Sequence, residues 1–184
     1  MLRDQGYLAP AKVAKPRLSE IFHRQNLYEL LDRSCRFPCV WIAGPAGSGK
    51  TTLAAGYFTQ RQTSCIWYQV DQGDADPATF FHYMALAARK SRGSDEILLP
   101  RFRAEYFEGI SSFSLRFFEN LCSQLGPNHA IVLDDYQESG PESILHQVVC
   151  QAINALPPGI NLIILSREHP HKPFSRHIAN RKIT

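Results

Sequence analysis

Short apolar runs alternate with longer amphipathic stretches along this chain. Pro38 to Ala43 (PCVWIA) is an apolar run that meets a glycine-rich turn, the pattern of a buried strand. Ser64 to Val70 (SCIWYQV), Ala130 to Leu133 with Asp134-Asp135 at its end, and Asn161 to Leu165 repeat that character. Between these runs the apolar spacing becomes helical. Leu27, Leu30 and Leu31 follow i, i+3, i+4 spacing within residues 24–33 and predict a short helix facing inward through them. Leu53, Ala54, Tyr57 and Phe58 share one face of residues 51–60. Asp76-Pro77 is a cap with a first-turn proline, opening a helix that carries Phe80, Phe81, Met84, Ala85 and Ala88. Residues 113–125 turn Phe117, Phe118, Leu121, Cys122 and Leu125 inward before Gly126-Pro127 stops them. Ser139-Gly140-Pro141 starts a helix with the stripe Ile144, Leu145, Val148, Val149, Ala152, Ile153 and Leu156, ended by Pro157-Pro158-Gly159.

Residues 91–100 are expected to be a loop, residues 1–23 an irregular arm, and residues 170–184, rich in proline and histidine, carry no assignable pattern. Strands without polar alternation, separated by helices, form a parallel sheet covered on both faces. The expected architecture is three-layer α/β, one domain over residues 24–184.

One turn in this pattern carries chemistry. Gly44-Pro45-Ala46-Gly47-Ser48-Gly49-Lys50-Thr51 fits G-x-x-x-x-G-K-[ST] in full. Glycines permit positive φ and bring successive N–H groups around phosphate oxygens with no Cβ in the way. The helix that follows, with Thr52 also in its first turn, aims unpaired N–H groups at the same anion. Lys50 reaches the terminal phosphates and the Thr51 hydroxyl ligates Mg²⁺. A chance match occurs in about one in a hundred chains of this length, and fewer place it between an apolar strand and a helix. ATP or ADP with Mg²⁺ is the expected ligand, and the fold narrows to a P-loop NTPase.

Two strand ends supply partners for that loop. In a P-loop protein the first acid after the apolar run, Asp134, holds Mg²⁺, and an adjacent acid, Asp135, is placed to act as general base toward water. The plainer account is that aspartate favours turns. Leu165-Ser166-Arg167 ends another strand on the same side of the sheet, where ligands bind, so Ser166 or Arg167 is a candidate γ-phosphate sensor.

Composition changes this picture little. The 184 residues are 44% apolar and 20% charged, ordinary for a soluble globular chain and unlike a disordered one. A net charge of +3 is too small for a surface that coats nucleic acid. No apolar run is long enough for a membrane span or a signal peptide, so a cytoplasmic location with no membrane partner is expected. Five cysteines, none in a CxxC pair, read as reduced thiols. His169, His171 and His177 lack an acidic or thiol companion in the sequence and read as surface residues. Arg89, Lys90, Arg92, Arg101 and Arg103 read as a solvated face.

Further segments resemble one family. Trp67-Tyr68-Gln69-Val70-Asp71 followed by Asp74, Asp76-Pro77 and Phe80-Phe81, then Val132-Leu133-Asp134-Asp135-Tyr136 and Ile164-Leu165-Ser166-Arg167, are similar to the N-terminal ATPase module of the MalT-like, LuxR-type ATP-dependent transcriptional regulators. These are STAND-class signalling P-loop NTPases. Pro16-Arg17-Leu18 and Arg24 resemble the segment that runs past the adenine in that group. The family often has histidine after Asp-Asp-Tyr, where this chain has Gln137. The resemblance covers residues 16–184 and implies a slowly hydrolysing switch, in which ATP favours an assembling form and ADP a resting one. It implies that the lid, the helical sensor and the DNA-binding helix-turn-helix lie outside this sequence, with DNA contact only through them and ATP-dependent self-association in the full-length protein. Two other classes stay open: a P-loop kinase acting on a small acceptor, and a nucleotide-dependent interaction module without turnover.

Overall fold

The computed structural model describes residues 11–18, 24–93 and 97–184. Its four strands are β1 (Cys39–Ala43), β2 (Ser64–Gln69), β3 (His129–Asp134) and β4 (Ile160–Ser166). They form one sheet in the order β1-β4-β3-β2, every pair parallel. The helices are α1 (Gln25–Ser34), α2 (Lys50–Gln60), α3 (Pro77–Arg92), α4 (Ile110–Gln124), α5 (Leu145–Ala155) and α6 (Ser175–Ala179).

Strand alternation divides the core in two. Val40, Trp67, Ala130, Val132, Ile163 and Leu165 pack with Tyr28 and Leu31 of α1 and with Ala54, Ala55, Tyr57 and Phe58 of α2. The opposite set, including Ile66, Tyr68, Ile131, Leu133, Leu162 and Ile164, packs under α3, α4 and α5. There Phe80, Phe81, Phe113, Phe117 and Phe118 are almost fully buried. Each such side chain stabilises the fold by roughly 1.5–3 kcal/mol before entropy is set against it. This arrangement is the three-layer α/β fold that the apolar runs predict.

The boundaries differ where tertiary packing outweighs local pattern. In α1 the buried residues are Tyr28 and Leu31, while Leu27 and Leu30 are 36% and 51% exposed. Tyr28 meets Tyr57 with ring centroids 6.0 Å apart, and this aromatic contact turns the helix away from the predicted leucine stripe. α5 begins at Leu145, later than the Ser139-Gly140-Pro141 signal, because a 3-10 turn over Tyr136–Ser139 comes first and Gly140 breaks it with φ +77°. α3 continues to Arg92 and ends on left-handed Gly93, so the expected loop starts later; residues 94–96 of it lie outside the described residues. α4 begins at Ile110, three residues before the predicted start.

The two termini also contribute. Residues 1–10 and 19–23 of the expected arm lie outside the described residues, but Ala11–Val13 form a 3-10 turn with Val13 buried. At the other end, Cys39 N–H donates to Lys182 O (3.0 Å), Thr184 N–H to Cys39 O (3.1 Å) and Trp41 N–H to Thr184 O (2.8 Å). The last residues thus run parallel to β1 on its open side. All five cysteines are free, and burial pushes the Cys65, Cys122 and Cys150 thiols up to about 11, which keeps them unreactive near neutrality. Among the described residues no helix is long and apolar enough to cross a membrane.

Candidate nucleotide site

β1 ends at Ala43, and the chain turns through residues 44–49 into α2 beside the ends of β4 and β3. Because β1 neighbours β4 while the chain continues to β2 at the far edge, a crevice opens at these carboxyl ends. Gly44 N–H donates to Ser166 O (3.1 Å), pinning the loop's start to the end of β4. Gly47 and Gly49 take φ of +73° and +83°. At Gly49 the backbone conformation favours glycine, and the Arg24 guanidinium lies 3.2 Å from where a Cβ would stand, so a side chain there would also press on that arginine. No acid occupies the first turn of α2, which leaves its N–H groups and positive dipole end uncompensated.

Ala46, Gly47, Gly49, Lys50, Thr51 and Thr52 line an open cavity of about 310 Å³ together with Asp135 and Arg167. Lys50 Nζ donates to Gly44 O (2.7 Å) and Pro45 O (3.0 Å), with Ser48 Oγ at 3.5 Å. The ammonium therefore lies against the loop, and Lys50 also lines the cavity. Arg24 Nη1 donates weakly to Ser48 O (3.5 Å), so this arginine sits on the phosphate loop itself.

Thr51 Oγ1 donates to Asp134 Oδ1 at 3.0 Å, bringing together two oxygen donors 83 residues apart in the chain. Asp134 is 4% exposed. Burial, the largest influence, raises its carboxyl above the ordinary range, and the Thr51 hydrogen bond opposes that shift. A hydroxyl and a carboxylate at a phosphate site suit a hard divalent cation such as Mg²⁺, which keeps several waters and needs few protein ligands. Among the described residues no group of three or more His, Cys, Asp or Glu is placed to hold a metal alone. Of the tail histidines, His177 is buried and not on the surface, and His171 Nε2 lies 3.2 Å from Glu168 Oε2, an acidic companion after all.

Asp135 leaves the strand with φ +53°, a left-handed conformation that aspartate tolerates, and where the backbone turns it lines the cavity, unlike Asp134. For Asp135, Gln69 Nε2 donates to Oδ2 (3.1 Å) and Gln137 Nε2 to Oδ1 (3.3 Å). In the sequence Gln137 stands out only as a departure from the family's histidine, and Gln69 has no marked role; the register of β2 on β3, with Gln69 opposite Asp134, brings Gln69 there. Of the two sensor candidates, Arg167 faces the cavity, whereas buried Ser166 uses its Oγ to accept from Glu168 N–H (3.1 Å).

A parallel α/β sheet with this loop after its first strand, an aspartate pair ending a neighbouring strand and a basic residue ending another defines a P-loop NTPase of the α/β class. The chain belongs to the family described as Nephrocystin 3, N-terminal, which matches residues 18–167. It is 27% identical over 168 residues to the HTH-type transcriptional regulator MalT of Cronobacter sakazakii, covering 89% of this chain and 18% of the regulator. To MalT of Vibrio cholerae it is 28% identical over 163 residues, again covering 18% of that protein. The resemblance to the ATPase module of such regulators is thereby borne out, and the chain spans under a fifth of these relatives' length. The solved structure of a STAND protein with a tetratricopeptide repeat sensor from Pyrococcus horikoshii shares the fold, with TM-score 0.52 and 21% identity over 92% of this chain and 23% of that one.

Proposed function

We propose that this chain is the nucleotide-binding switch module of a longer bacterial transcriptional regulator, holding ATP or ADP with Mg²⁺ and hydrolysing ATP slowly. One observation carries the reading: Lys50, Thr51, Asp135 and Arg167 line one cavity, with Asp134 hydrogen-bonded to Thr51 beneath it. Loop and first-turn N–H groups of α2 donate to the phosphates. Lys50 exchanges the Gly44 and Pro45 carbonyls for terminal phosphate oxygens, Arg24 adds positive charge on the loop's outer side, and Arg167 offsets charge on the γ-phosphate. Thr51 and Asp134 would hold Mg²⁺, which when bound supplies Lewis-acid neutralisation of phosphate charge.

Asp135 takes the proton of the attacking water. As the water oxygen bonds to the γ-phosphorus, the bond to the bridging oxygen breaks and its electron pair leaves with ADP. DNA and inducer contacts belong to other parts of the longer protein, ATP-dependent self-association to the full-length protein, and the site works in the cytoplasm.

Calorimetric titration tests the reading. Mg·ATP and ADP should both bind, and Lys50→Ala should weaken each by about 10–150-fold, the equivalent of about 1.5–3 kcal/mol for a lost charge-assisted hydrogen bond. Unchanged affinity in a folded Lys50→Ala protein overturns it. Asp135→Asn should leave ATP affinity near wild type and lower turnover by about 10²–10⁴-fold.

A further inference from the structure

Between the end of β3 and the end of β4 stands one side chain that makes a polar contact to each. Gln137 Nε2 donates to Asp135 Oδ1 (3.3 Å), and Gln137 Oε1 accepts from Arg167 N–H (2.9 Å). The same Nε2 also donates to Glu138 Oε1 (3.2 Å). These partners fix the amide's orientation: reversed, its oxygen would face two carboxylates and its NH₂ a backbone donor. The bridge uses the donor and the acceptor that one amide carries side by side.

The turn that presents Gln137 is itself anchored. Tyr136 is fully buried, its hydroxyl 2.8 Å from His146 Nδ1 and its ring edge-on to Trp41. Ser139 Oγ donates to Tyr136 O (2.9 Å), closing the 3-10 turn over residues 136–139. Gln137 is thus held at a set height above the sheet, with both partners bordering the nucleotide cavity.

We propose that Gln137 is a positioning residue that couples the Asp135 carboxylate to the Arg167 main chain, so that the proposed water-activating acid and the proposed γ-phosphate sensor adopt their working geometry together. This deepens the reading of the site as a hydrolytic switch and rests on it. Gln137 touches neither water nor phosphate in this role. It aims one carboxylate oxygen and fixes the backbone from which the arginine projects.

The test uses the 184-residue chain, with ADP affinity, single-turnover ATP hydrolysis at saturating Mg·ATP, and the Arg167 amide resonance as readouts. Gln137→Ala removes both contacts; Gln137→Glu keeps the shape and the acceptor but cannot donate to Asp135. Both variants should bind ADP within about twofold of wild type and lose about tenfold or more in turnover. Gln137→His, whose neutral imidazole has one donor and one acceptor, should recover part of that loss. Asp135→Asn should shift the Arg167 amide resonance in the wild-type background and leave it unmoved when combined with Gln137→Ala. Wild-type turnover in Gln137→Ala, or an Arg167 amide that answers Asp135→Asn equally without Gln137, overturns the proposal. The resonance experiment needs no nucleotide, so it decides the coupling even if Asp135→Asn retains full turnover and the hydrolytic reading fails.

Discussion

Two carboxylates are buried among the described residues, Asp74 at 0% and Asp134 at 4% exposure, and their surroundings are opposite in kind. Asp74 is saturated. Its Oδ1 accepts from Tyr68 O–H (2.5 Å), and its Oδ2 from Asp71 N–H (2.9 Å) and Lys12 Nζ (2.9 Å). Lys12 also pairs with Asp71 at 2.6 Å. Asp134 accepts from Thr51 O–H and Asp135 N–H, both on Oδ1, each at 3.0 Å. No described residue donates to its Oδ2.

A charge withdrawn from water costs free energy unless hydrogen bonds and countercharge replace the water. Asp74 has those replacements within the fold, so its role is architectural: it ties residues 11–13 to β2 and the start of α3. Asp134 lacks part of them within the fold, and its Oδ2, which is not among the buried atoms left without a partner, is open to water or to a ligand.

The same contrast explains the segment Asp71, Asp74, Asp76-Pro77 that makes the sequence resemble its relatives. Asp71 accepts from Gly73 N–H (2.9 Å) while Asp74 accepts from Asp71 N–H, closing a capping box over Gln72–Ala75. Asp76 caps α3 through Ala78 and Thr79 N–H, both at 3.1 Å. None of these acids lines the nucleotide cavity.

The sharpest way to break the comparison is Asp74→Ala. It strands the Tyr68 hydroxyl and part of the Lys12 charge in the interior, and should cost about 3–5 kcal/mol of stability in denaturant unfolding. The fraction that remains folded should keep its ADP affinity; loss of affinity without loss of stability would give Asp74 a place in the site.

Asp134→Asn should act in the other direction. Removing an incompletely compensated charge should raise the stability of the magnesium-free protein by about 0.5–2 kcal/mol, while Mg²⁺-dependent nucleotide binding falls. A destabilised Asp134→Asn protein would make Asp134 another structural carboxylate.

Asp76→Ala should cost about 1 kcal/mol near neutral pH through the lost cap. The Thr79 hydroxyl, with the capped N–H groups, holds the Asp76 carboxyl below its ordinary 3.8 against a smaller opposing effect of burial. A depressed folded value stabilises above 3.8 and is lost as pH falls through the folded value, so the difference between wild type and variant should shrink in acid. Thermal unfolding of both proteins across that range checks the sign, and a difference independent of pH would refute the cap as its source.

The sequence by itself determined the elements and half of the site. Unbroken apolar runs such as Ile131-Val132-Leu133 are strand-forming and two-sided, so a parallel sheet follows from local chemistry. Residues 44–51 have their function in the backbone of one short turn, which needs no distant partner to be legible. Tertiary structure decided whatever depends on residues far apart in the chain meeting at one place. It set where Asp135 sits, because the chain turns at φ +53° directly after β3 ends. It brought Gln69 to that carboxylate through the register of β2 on β3, and Gln137 through the 3-10 turn that follows Asp135, partners that an amide in the sequence does not announce. It also chose Tyr28 over Leu27 and Leu30 for burial, because the area gained depends on the ring of Tyr57 across the helix interface and not on spacing within α1.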